Sequence, residues 1–133
     1  MIAFPVVVWW LVADQSTVPP RGADYAFRPL LIDPSAERAV GIGSVLLFVV
    51  ALSMLVWADH RHPFGRRWWV VLGLVLSAGF IIGSGWRVMT AGVIGANIGA
   101  GLVVMFGGPV VVVLLIGALA LAVRLWRGAP PHP

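Results

Sequence analysis

The sequence predicts an all-α integral membrane protein with three to four transmembrane helices and a Gly-rich, short or re-entrant segment before the last span. Three observations carry this expectation. First, hydrophobic residues make up 60% of 133 positions and charged residues only 11%, with a mean hydropathy of +0.99. Soluble domains carry roughly 25% charged residues, and a chain this short has too little interior to hide so much apolar surface, so lipid must cover the remainder. Second, uncharged runs of about 19 residues with Trp at their ends recur, matching the ~20 residues that a helix needs to cross ~30 Å of hydrocarbon. Third, the polar run 59–67 (DHRHPFGRR) divides two such runs and holds the densest positive charge in the chain.

The first apolar stretch, 2–13 (IAFPVVVWWLVA), has about 12 residues, which is short of a full crossing. It lacks the basic start and small-residue cleavage site of a signal peptide. It fits a half-inserted interfacial helix, a short tilted span that thins the bilayer, or the tail of a longer helix whose start codon lies upstream of Met1. A short membrane-inserted helix over 1–13 is the expectation. Pro5 suits a first turn, where its missing N–H has no partner to lose.

Residues 14–38 are the one substantial polar stretch and are expected to form an extracytoplasmic loop. Pro19-Pro20 and Arg21-Gly22 mark turn or extended backbone. At its end Asp33-Pro34-Ser35-Ala36-Glu37 signals a helix start. Asp33 can cap, Pro34 suits the first helical position, and Glu37 complements the positive end of the helix dipole.

A helical bundle is expected over 39–127, with spans at about 39–58, 68–86 and 101–126. Trp57, Trp68-Trp69 and Trp86 sit at interfacial depth. Gly79 and Gly83 form a GxxxG spacing that permits close helix approach, although glycine is frequent enough here for the spacing to be read as chance. The region 88–126 could hold two spans only with a hairpin at Gly107-Gly108. Charge decides between the readings. With the three arginines of 59–67 in the cytoplasm, one further span returns Arg124 and Arg127 to the cytoplasm, whereas two would leave them outside. One final span is therefore expected, kinked at Pro109, after a short extracytoplasmic or re-entrant 88–100. The tail 128–133 (GAPPHP) is expected to be disordered.

All nine basic residues are arginine and there is no cysteine. Short arginine groups at helix ends suit anionic headgroups and topology control, and nucleic acid is not an expected partner because no water-exposed basic face is long enough. Cysteine-dependent chemistry is excluded. Between their flanking arginines the apolar segments hold no ionisable residue, which argues against a proton-coupled transporter and against intramembrane catalysis. Asp59, His60 and His62 make a weak metal set, with only remote His132 to add. No catalytic, cofactor or metal residue is expected, and nucleophile-elbow, P-loop, HExxH and dinucleotide-binding patterns are absent. The size is similar to that of small fluoride channels and small multidrug transporters, but their polar motifs are missing and the likeness ends there.

The stretch that stands out is 85–101 (GWRVMTAGVIGANIGAG). Arg87, Thr90, Gly95, Asn97 and Gly99 are the candidate packing or pore residues, with Arg87 read as an interfacial anchor and Thr90 and Asn97 expected inside tight packing. The sequence thus leads to a small non-enzymatic membrane protein of the bacterial cytoplasmic (inner) membrane, multi-pass, with loop 59–67 and the C-terminus cytoplasmic. Its expected partners are the lipid bilayer and either further copies of itself or another membrane protein. An oligomeric channel or holin-like pore lined by 88–101 is the alternative. A surface enzyme would require Arg87, Asn97 and the acids of 14–38 in one pocket.

Overall fold

The computed structural model describes residues 2–12, 26–28, 32–61, 65–92 and 96–127. Helices α1 (Phe4–Leu11), α2 (Pro34–Arg61), α3 (Arg66–Thr90), α4 (Ala96–Leu102) and α5 (Gly108–Arg127) follow in order, with a π-helical turn, Val103–Gly107, joining α4 to α5. The chain is all-helical over the described residues. Three helical stretches are long and apolar enough to cross a membrane: Pro34–Arg61, Arg66–Thr90 and Asn97–Arg127.

Helix α1 has 8 residues, or ~12 Å at 1.5 Å per residue, well short of a bilayer's ~30 Å. It lies between α2 and α3. Phe4 stacks obliquely on Phe48 of α2, with ring centroids 5.0 Å apart, and Trp10 covers Gly41 seven residues earlier in α2, so the two run antiparallel. Against α3 the order is parallel: Phe4 and Pro5 meet Gly79, and Val8 and Trp9 meet Gly83. The Gly79–Gly83 spacing is therefore a docking groove for α1, not an accident of composition. A Cβ on Gly83 would sit 2.8 Å from Val8 Cβ and 3.1 Å from the Trp9 amide nitrogen, distances that only a missing side chain allows. Helix α1 packs against both α2 and α3, whereas the α2 backbone does not pack on α3 or α5, so α1 is the wedge between them.

Helices α2 and α3 both run past the expected span limits. The Glu37 N–H bonds to the Asp33 carbonyl at 2.9 Å, which starts α2 with Pro34 in its first turn, and the Ser35 hydroxyl donates to the Asp33 carboxylate. At the other end much of the run 59–67 is helical, because Asp59–Arg61 finish α2 and Arg66–Arg67 begin α3. The His60 Nδ1–H donates to the Val56 carbonyl at 2.8 Å, and the Trp69 indole N–H donates to Asp59 Oδ2 at 3.2 Å. These bonds satisfy helix-end groups and staple the hairpin. Positions 62–64 lie outside the described residues.

The terminal helix begins at Ala96, five residues before the expected span, and continues through Gly107-Gly108 with no hairpin. Its irregularity is the π-helical turn Val103–Gly107 just before Pro109. Proline offers no N–H to the carbonyl four residues back and its ring crowds that carbonyl. The preceding turn widens, and the Gly108 N–H reaches the Val103 carbonyl five residues away. The terminal helix packs antiparallel to α3, with contacts between Gly85 and Val103, Ile81 and Gly107, and Leu74 and Gly117.

Small residues dominate the interior: Ala78, Gly79, Gly83, Gly85, Ala91, Ala100 and Ala118 are buried beside Val7 and Val8, and among the described residues no bulky side chain is fully enclosed. The large apolar side chains point outward instead, among them Leu47, Met54, Phe80, Met105, Phe106 and Trp126. A water-soluble fold reverses that arrangement.

Candidate functional site

The polar features of the bundle converge on Arg87, one turn from the end of α3. Its side chain is 11% exposed. Nε donates to the Trp9 carbonyl at 2.7 Å, Nη2 donates to Glu37 Oε1 at 2.7 Å, and Cζ stands 4.4 Å from the centroid of the Trp9 ring. One guanidinium thus joins three helices. It satisfies a carbonyl in the last turn of α1, where helices leave acceptors without partners and favour positive charge. It pairs with a carboxylate in the first turn of α2, where the dipole favours negative charge. Each charge sits at the helix end that stabilises it, and the Trp9 face adds a cation–π contact.

Just past Arg87, Thr90 is buried and its hydroxyl donates to the Trp86 carbonyl at 2.9 Å. That back-bond leaves Thr90 with no unmet demand. The Phe27 N–H closes the Met89 carbonyl at 3.2 Å, folding part of the 14–38 connector onto the end of α3.

Beside this clamp lies a cleft of about 320 Å³ bounded by α1, α2 and α3. Pro5, Val6, Ile32, Val40, Ile82 and Gly83 wall it, Trp9 and Trp86 supply two indoles, and among the described residues Glu37 is the charged one of its lining. Its size falls in the ~300–1,000 Å³ range of small-molecule clefts.

The candidate residues are thus divided. Arg87 is the hub, Thr90 is buried beside it, and Gly99 faces α3, where a Cβ would lie 3.4 Å from Val88 Cγ1. Asn97 is exposed and does not line the cleft, so the expectation of an amide inside tight packing is corrected. Ala100 is buried and Gly99 meets Val88, while Asn97 in the first turn of α4 stays exposed. Gly95 lies outside the described residues. The pocket that a surface enzyme would need is assembled only in part, because Glu37 joins Arg87 and Asn97 does not. Among the described residues no three His, Asp or Glu side chains gather as a metal site.

The sequence reading missed Trp9, and it treated Glu37 as a helix-end residue and as one of the acids of 14–38 that a surface pocket would bring to Arg87. A signal was present: the topology that places Arg87 outside also places Glu37 outside, which leaves two opposite charges at one end of the bundle. No protein family, curated protein or solved structure matches the chain.

Proposed function

We propose that this chain is a multi-pass protein of the bacterial cytoplasmic membrane that works without catalysis, as a small subunit associating with a second copy or another membrane protein. The observation that carries this reading is α2. Of its 28 residues only Gly41 is buried; α1 packs against the helix, and α3 reaches it through Arg87–Glu37 and Trp69–Asp59. Leu46, Leu47, Val50, Met54 and Trp57 project outward, each more than half exposed. A helix pinned at Glu37, Gly41, Phe48 and Asp59 but apolar and exposed along its outer face suits docking of a further transmembrane helix.

The absence of catalysis is supported by how polar groups are used. Arg87, Glu37, Thr90, His60 and Trp69 each bond to a helix end or a neighbouring helix. Arginine placement supports the orientation: Arg61, Arg66, Arg67, Arg124 and Arg127 share one end of the bundle, with that end cytoplasmic.

The natural chain has no cysteine, so single-cysteine variants test the association cleanly. Leu47→Cys and Met54→Cys are expected to cross-link in native membranes to a second copy or to a discrete membrane protein. A chain that yields only monomer from every α2 position overturns the reading. An oligomeric pore remains the second reading, favoured by the exposed Asn97 amide on α4. It requires ion or dye release from liposomes that Asn97→Leu abolishes.

A further inference from the structure

We propose that the furrow between α3 and α5 binds an anionic phospholipid, with its phosphate at Arg66 and Arg124; this rests on the membrane reading above and is independent of the partner that α2 takes. Helix register sets the head end. The two helices run antiparallel, and Leu74 of α3 meets Gly117 of α5. Two turns from that contact toward the hairpin lie Arg67 on α3 and Arg124 on α5, so the start of α3 stands level with Arg124. Helical phase puts Arg66 on the face of Gly73 and Phe80, and Arg124 on the face of Gly117. These faces border one furrow, because Phe80 and Phe106 line the same apolar opening of about 480 Å³ beside the Ile81–Gly107 contact.

The charge of the head follows from what the chain leaves unanswered. Arg66, Arg67 and Arg124 are exposed, and among the described residues none of the three is in an ion pair. Asp59, the acid described at this end, bonds the Trp69 indole on the α2 side of α3. The first turn of α3 holds no acid, and Gly65 gives it no side-chain cap, so the positive end of that helix adds to the arginines. A phosphate accepts from such guanidinium groups, whereas a zwitterionic head brings an ammonium group against them. Arg87, at the other end of α3, is the contrast: it is 11% exposed and paired with Glu37.

The furrow also has the length of a lipid. Gly73 and Gly117 are exposed and leave its floor without side chains, and nothing lies within 4 Å of a Cβ on Gly73. Arg66 and Phe80 are ~21 Å apart along α3 at 1.5 Å per residue, close to half of the ~40–45 Å of a bilayer with its headgroups. A lipid of one leaflet therefore reaches from the arginines to the phenylalanines.

The test uses the full chain in nanodiscs made from equal parts phosphatidylcholine and phosphatidylglycerol, with retained lipid identified by native mass spectrometry. Wild type is expected to retain phosphatidylglycerol preferentially. Arg66→Gln and Arg124→Gln are each expected to reduce the preference about fivefold, the factor for the ~1 kcal/mol that an arginine contributes near anionic lipid. Gly73→Phe fills the furrow with every charge in place and is expected to abolish it. Arg61→Gln, on α2 and stacked over Trp57, is expected to leave the preference unchanged. Equal retention of both lipids by wild type overturns the proposal, as does a preference that survives Gly73→Phe. Equal losses from Arg61→Gln and Arg66→Gln also overturn it, because the lipid is then gathered by overall charge and not by the furrow. Alkaline carbonate extraction separates the two readings. A chain that stays in the membrane pellet and shows no preference removes the lipid site alone, whereas a chain released by carbonate removes the membrane reading as well.

Discussion

Arg87 grips Trp9 twice, with Nε donating to its carbonyl at 2.7 Å and Cζ 4.4 Å from its ring centroid. The two residues stand 78 positions apart in the chain. A single side chain thereby fixes both the end and the rotation of α1, an 8-residue helix too short to be stable alone. Glu37 extends the grip to α2.

Replacing Arg87 with Met keeps the stem and removes the charge, the carbonyl bond and the cation–π contact. Glu37 is then left without its partner and the α1 terminus without its donor. Unfolding in detergent is expected to become easier by about 2–4 kcal/mol, less than the ~3–5 kcal/mol for a fully buried pair because the Glu37 side chain is 35% exposed. Lysine is expected to recover only part of this, because it cannot reach two acceptors with a planar fork. Thermal melts followed by Trp fluorescence measure both effects.

Gly83→Ala is expected to cost about 1–3 kcal/mol, the penalty of inserting a methyl group where none fits. Its Cβ meets the Pro5 carbonyl and Val8, part of it rigid backbone. Gly43→Ala is the matched control. Nothing lies within 4 Å of its Cβ, and helix propensity predicts a gain of up to ~1 kcal/mol. Equal effects at the two sites would sink the assignment of Gly79–Gly83 as the α1 groove.

The facing of α3 and α4 is open to a covalent test. A Cβ at Gly99 would lie 3.4 Å from Val88 Cγ1, within reach of disulfide geometry. The pair Val88→Cys and Gly99→Cys is expected to oxidise within one chain, giving a faster, reducible band on gels. The pair Val88→Cys and Ile98→Cys should not oxidise, because Ile98 is 72% exposed on the outer face.

The topology proposed from arginine placement is checked by labelling single cysteines with a membrane-impermeant maleimide. Pro63→Cys and Pro130→Cys are expected to react only after the cytoplasmic side is opened, and Gly22→Cys in intact spheroplasts. Labelling of position 130 from outside would contradict a single crossing by the terminal helix.

Hydropathy, tryptophan placement and charge were enough for an all-helical chain with apolar helices of spanning length, because each depends on local composition set against a fixed bilayer thickness. The helix start at Asp33–Glu37 was equally legible, since capping acts within one turn. Which face of each helix meets another was not. In a chain this apolar, lipid-facing and helix-facing residues share one chemistry, so hydropathy cannot separate Gly83, pressed against α1, from Gly43, which touches nothing. The widened turn before Pro109 depended on how backbone carbonyls find donors around a proline. The pairing of Arg87 with Glu37 and Trp9 required α1 to lie between α2 and α3, a placement set by packing across 50 and 78 positions of chain. Local sequence thus determined the helices, and the tertiary structure alone decided that an arginine at the end of α3 would hold three of them together.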